Sequence, residues 1–167
     1  MIKSLPARGK EQTAQCFEKS YEKHVAMLYR VCFAYMKNKA DTEDVVADVF
    51  VKLLKGGKSF QSDEHEKAWL LRTAVNQCKD RLKHWWNTCE NIDNYKFLED
   101  SRKAGGDDTL DAVMGLPERY KAVIYLYYYE GYSSAEIAEI LRKPQSTILN
   151  HLHEARKYLK GVLGSEE

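Results

Sequence analysis

Apolar residues recur along this chain at intervals of three and four, and nowhere with a sustained period of two, so the pattern predicts helices throughout. A first helix is expected over about 15–37, where Leu28, Val31, Cys32 and Tyr35 fall on one face. Asp41 is a candidate N-cap for a second, with Asp44 three residues on and Val45, Val46, Val49, Phe50, Leu53 and Leu54 as its apolar side. Gly56 and Gly57 end it, and KSFQSDEH reads as a polar loop. A third helix is expected from about Glu64 to Trp86, with Ala68, Leu71, Val75, Cys78 and Leu82 inward.

The pattern then fades. TCENIDNYKFLEDSRKAGGDDTLDAV, residues 88–113, carries scattered acids and a Gly-Gly-Asp-Asp break, and reads as a flexible linker holding at most one short helical turn. Beyond it, a helix is expected from Pro117 to Glu130, a stop at Gly131, a short helix SSAEIAEIL, a tight connection at RKPQ and a last helix to about Leu163. Ser133 with Glu136 forms a capping-box signature, and Pro144 suits the first turn of the last helix. The fold class is therefore all-α: two small helical domains, residues 1–87 and 114–167, the second a helix-turn-helix.

Charge sharpens that division. The net value of +1 over 167 residues conceals +5 for residues 1–87, −4 for 88–113 and 0 for 114–167. No apolar run reaches the length of a membrane span, and the N-terminal MIKSLPARGKEQTAQ lacks an apolar stretch after its basic residues, so neither membrane insertion nor secretion is expected. Cys16, Cys32, Cys78 and Cys89 show no CxxC spacing and read as reduced, buried cytosolic thiols. The five histidines form no metal-binding pattern, no nucleophile is paired with a base, and no Gly-rich phosphate loop is present. No cofactor, metal or catalytic site is expected.

Three helices carry candidate binding chemistry. The last helix opens with Gln145, Ser146, Thr147, Asn150 and His151, side chains able to donate to phosphates or base edges, with Arg142, Lys143, Arg156 and Lys157 flanking them. The third helix carries Arg72, Asn76, Lys79 and Lys83 as a polar stripe, with Trp69, Trp85 and Trp86 at its ends; aromatics beside cations suit melted nucleic acid, although a wet helix face gives the same pattern. The second carries Asp41, Glu43, Asp44 and Asp48, which suit a basic partner or simply a solvated helix N-terminus. A metal is the poorer occupant, since one helix alone rarely closes a coordination shell. Six of the eleven tyrosines lie within RYKAVIYLYYYEGY, where helical spacing with Val123, Ile124 and Leu126 predicts core packing.

Taken in order, these pieces resemble a bacterial RNA polymerase sigma factor of the small extracytoplasmic-function (ECF) type, over about residues 16–86 and 114–160. DTEDVVADVF is similar to the family's D-x-E-D-x-x-Q-D/E-x-F stretch, which implies that Asp41, Glu43, Asp44, Asp48 and Phe50 dock on the clamp helices of the polymerase β′ subunit. AWLLRTAVNQCKDRLKH is similar to the helix that, with the loop from about Lys58 to Glu66, holds the melted minus-ten element; Trp69, Leu70, Ala74, Asn76, Asp80, Leu82 and Lys83 carry the likeness. LPERYKAVIYLYYYEGYSSAEIAEIL with STILNHLHEARKYL looks like the region whose helix-turn-helix reads the minus-thirty-five element, through Leu116, Pro117, Glu130, Gly131, Ser133, Glu136, Ile137, Ala138, Thr147, Ile148, Leu152, Ala155 and Arg156.

The chain departs from the family pattern at Ala47 (commonly Gln), Arg142 and Ser146 (frequently Gly), and Leu149 and His151 (often basic). The resemblance implies a cytoplasmic, non-enzymatic subunit that binds core RNA polymerase, through β′ and β, and promoter DNA, both duplex and melted. Family members are often held inactive by an anti-sigma factor, a further partner class. The competing reading of the same helices is a stand-alone, dimeric helix-turn-helix regulator.

Overall fold

The computed structural model describes residues 7–57, 59–88 and 112–163, and among these every regular element is helical. Most of the expected linker, with Cys89, and the side chains of Trp85 and Trp86 lie outside the described residues.

Helix α1 spans Ala7–Met36, starting earlier than its apolar stripe suggests. Its predicted face is the core: Leu28, Val31, Cys32 and Tyr35 are each buried. Lys37 ends it in the left-handed region, at φ 62°, returning its N–H to the Phe33 carbonyl at 2.9 Å. Helix α2 spans Lys39–Gly56, and its cap corrects the expectation. Asn38, not Asp41, is the N-cap: its Oδ1 accepts the Asp41 N–H at 2.8 Å, while its Nδ2 donates to the Asp41 carboxylate at 2.7 Å. The helix gains three residues because an Asn at the cap satisfies an amide that the Asp41 cap would leave outside. Val45, Val46, Val49 and Phe50 are buried, whereas Leu54 is exposed. Gly57, at φ 54°, takes the left-handed turn that ends α2.

Helix α3 spans Asp63–Thr88 and buries Leu70, Leu71, Ala74, Val75 and Cys78. α1, α2 and α3 pack on one another, and cutting Leu71 to Ala in that core would cost about 2–5 kcal/mol. The hydrogen bond shared with Cys78, followed by burial, raises the Cys32 thiol strongly, so Cys32 is an inert hydrophobe; Cys16, in contrast to the expectation, is exposed.

The second half begins before residue 114: Ala112 and Val113 form a helical turn and are buried, because their apolar side chains join the core rather than a linker. Helix α4 spans Glu118–Ile124, and the expected single helix then widens into a π-helical turn, Tyr125–Tyr129. That turn sends Tyr125 and Leu126 inward while Tyr128 and Tyr129 stay exposed, so the tyrosine run is core only in part. Gly131, at φ 72°, turns the chain into α5, Ser134–Leu141, under a complete Ser133–Glu136 capping box. α6 spans Gln145–Leu163, with Pro144 just before its first residue and Ile148, Leu152 and Ala155 buried. α4 and α5 both pack on α6.

The two halves touch. α1 meets α4, α3 meets α5, and one continuous apolar cluster runs from Leu28 and Leu71 to Ile137 and Leu152.

Candidate functional site

The acidic face of α2 is positioned by its own buried side. Because Val45, Val46 and Val49 face α1 and α3, Asp41, Glu43, Asp44 and Asp48 are all exposed. Their pairings are loose: Glu43 lies 3.8 Å from Lys39, and Asp44 lies 3.6 Å from Arg81 of α3. Exposed pairs of this kind hold little energy, so the carboxylates remain available to a basic partner. Phe50 differs from them. It is buried and packs edge-on to Phe17 at 5.9 Å and beside Tyr21 at 4.8 Å, so it supports the face from beneath.

The polar stripe on α3 is split by what packs on it. Asn76 and Lys83 are exposed. Trp69 is half-buried against Phe60, 5.8 Å between rings. Arg72 is half-buried and donates through Nε to the Ile140 carbonyl at 2.7 Å, near the end of α5. Burial, then the neighbouring Arg142 charge, lowers its pKa. Lys79 is lowered likewise by burial and by Lys143, with Glu118 working the other way. Two cations of the α3 stripe thus sit against cations of the α5–α6 turn.

That turn is a tight one. Arg142 takes the left-handed conformation at φ 53°, and the Lys143 N–H reaches back to the Ala138 carbonyl at 3.0 Å. The position where the family commonly has Gly is therefore a position whose backbone favours Gly. Beyond the turn, Gln145 donates to the Ser134 hydroxyl at 3.1 Å, tying the head of α6 to the head of α5. Arg142, Gln145, Ser146, Asn150, Arg156 and Lys157 are exposed, while Lys143, Thr147 and His151 are half-buried. His151 packs its ring edge-on to Tyr120 at 5.4 Å, and burial followed by Lys143, Arg119 and Lys79 lowers its pKa. Arg156 lies over Tyr127 and donates to the Tyr128 hydroxyl at 2.8 Å, so those tyrosines hold its guanidinium in place.

Several contacts that spacing alone does not reveal bind the halves together. Lys121 of α4 is only 3% exposed and donates to the Ala34 carbonyl in the last turn of α1 at 2.8 Å. Glu130 accepts from Tyr125 at 2.9 Å and lies 3.2 Å from Lys67 and 3.7 Å from Arg30. Tyr35 donates to the Glu118 carbonyl at 3.3 Å. A lysine placed between Tyr120 and Ala122 in an apolar run was the one sequence signal of this. Leu149 stood in the sequence only as a departure; it is 52% exposed in the second turn of α6. Among the described residues no group of three His, Cys, Asp or Glu converges as a metal site, and no helix is long and apolar enough to cross a membrane.

Comparison with known proteins covers the same two halves. The Sigma-70 region 2 family matches residues 20–87, and Sigma-70 region 4 matches residues 107–159. The chain is 31% identical to the RNA polymerase sigma factor SigV of Bacillus subtilis over 86% of this chain and 89% of that protein. It is 26% identical to the ECF RNA polymerase sigma factor SigW of the same organism, over 98% of this chain and 97% of that one. Among solved structures, the sigma factor RpoE of Bartonella quintana, in complex with the anti-sigma factor NepR, aligns with a TM-score of 0.68 at 19% identity, over 92% of this chain and 99% of that one.

Proposed function

The chain belongs to the ECF-type sigma factors, which direct RNA polymerase to promoters, and from that premise we propose how its faces divide the work. The exposed carboxylates Asp41, Glu43, Asp44 and Asp48 on α2 dock on the basic partner surface, the β′ clamp helices of core polymerase, with Phe50 holding the face rigid. α3 receives the melted minus-ten strand: Asn76 and Lys83 from solvent, Arg72 and Lys79 once α5 and the α5–α6 turn have moved off them, and Trp69 as a stacking platform. α6 enters the duplex major groove at the minus-thirty-five element, with Gln145, Ser146 and Asn150 at the base edges and Arg142, Lys157 and Arg156 on phosphates.

The observation that carries this reading is the exposure of an acidic face on α2 and a basic, amide-rich face on α6 within one chain whose halves match regions 2 and 4. Residues 1–87 act as the first module and 114–167, extended by the buried turn at Ala112 and Val113, as the second, with the segment between them as the tether. In this account the subunit works in the cytoplasm, without catalysis or cofactor, and an anti-sigma factor would act by covering the α2 and α6 faces. Size exclusion with light scattering and a core-polymerase pull-down test it together. A monomer that binds core supports the reading; a dimer that ignores core is the signature of a stand-alone regulator.

A further inference from the structure

Leu149 is an exposed aliphatic side chain of α6. α6 already has a complete buried side in Ile148, Leu152 and Ala155, with Leu159 partly buried, so Leu149 is not needed to pack it. Its neighbours one turn away on the exposed surface are Gln145, Ser146 and His153, and Asn150 adjoins it. A large aliphatic side chain therefore stands, half exposed, in the middle of a polar surface, in the second turn of the helix.

The major groove offers such a side chain one kind of complement. Its floor is lined with hydrogen-bond donors and acceptors, and the one apolar group displayed at base edges is the thymine 5-methyl. A polar base edge opposite Leu149 would lose water and gain no hydrogen bond, which is a penalty. A thymine methyl opposite it removes two apolar surfaces from water at once. Ser146 and His153, one turn to either side, and the amides of Gln145 and Asn150 then frame that contact with polar ones.

We propose that Leu149 is a specificity-determining residue that selects a thymine, through its 5-methyl group, within the upstream promoter element. The inference rests on the reading that α6 enters the major groove, and it adds what that reading lacks, a base preference belonging to this chain.

The test uses holoenzyme reconstituted from bacterial core RNA polymerase and the full chain. Duplex DNA randomised across the upstream element is selected by binding, and each thymine in the selected element is then replaced singly by deoxyuridine, which removes one methyl and leaves every hydrogen-bonding group. Binding by the unaltered chain is expected to fall roughly fourfold at one such position, the worth of one buried methyl. Leu149→Ala is expected to bind the thymine and deoxyuridine duplexes equally, and Leu149→Met to keep most of the discrimination. An element with no methyl-sensitive thymine, or a Leu149→Ala holoenzyme with undiminished sensitivity, overturns the inference while leaving groove entry intact. Selection of no upstream element at all overturns groove entry and the inference with it.

Discussion

Arg72 of α3 donates through Nε to the backbone carbonyl of Ile140, 2.7 Å away near the end of α5. The bond joins the helix assigned to melted DNA to the helix-turn-helix assigned to duplex DNA, and it uses a guanidinium that the first assignment requires. Lys79 lies on the same side of α3, its charge disfavoured by burial and by Lys143. Under the proposed assignment, one cation set would serve either the contact between halves or a DNA strand.

Arg72→Ala and Lys79→Ala should therefore weaken promoter opening much more than core binding. Permanganate reactivity of the melted thymines is expected to drop about tenfold, on the scale of a lost charged contact, with affinity for core within about threefold of the unaltered chain. Loss of core binding with melting preserved would reassign the face.

The α2 carboxylates make the opposite prediction. Reversal of charge by Asp48→Arg should reduce core affinity about tenfold or more, in a salt-dependent way, since like charges juxtaposed across an interface cost several kcal/mol. Asp48 is exposed, so the thermal midpoint should stay close to that of the parent. Fluorescence titration against core at two salt concentrations separates these effects.

Arg142 occupies the left-handed region at φ 53° at the C-terminus of α5. Arg142→Gly relieves a conformation that costs a side chain about 1 kcal/mol, and should raise the denaturation midpoint accordingly. The same change removes one cation from the turn, so binding to duplex promoter DNA should become weaker even as the fold becomes more stable.

Lys121 links stability to pH. Burial first, and then Lys37, depress its pKa to about 7, against the partial support of Glu118 and Cys78. In the unfolded chain its pKa returns to about 10.4. Between those values the unfolded chain binds more protons than the folded one, so stability rises with pH above about 7, by about 2 kcal/mol between pH 7 and pH 9. Urea denaturation at pH 7 and pH 9 should show the rise, and Lys121→Met should flatten it.

Much of this was legible in the sequence because helical periodicity reports burial directly: Leu28, Val31, Cys32 and Tyr35 are spaced as one face and are one. The Ser133–Glu136 cap was legible for the same local reason. The start of α2 was misplaced because Asn38 and Asp41 are both good caps, and the choice between them depends on where α1 ends, at Lys37. The widening at Tyr125–Tyr129 has no local signal in a run of good core residues. Neither do the contacts of Lys121, Glu130 and Arg72, which exist only because distant segments meet. On α6, spacing marks which residues could bind; that His151 is half-buried against Tyr120 while Leu149 is exposed is a matter of packing.

The most direct test of the central claim is transcription from a fragmented bacterial genome by purified core RNA polymerase, with and without this chain. The account predicts new start sites that share two upstream motifs, appearing only when the chain is present. Transcripts identical with and without it, from a core enzyme that does not bind it, would contradict the account.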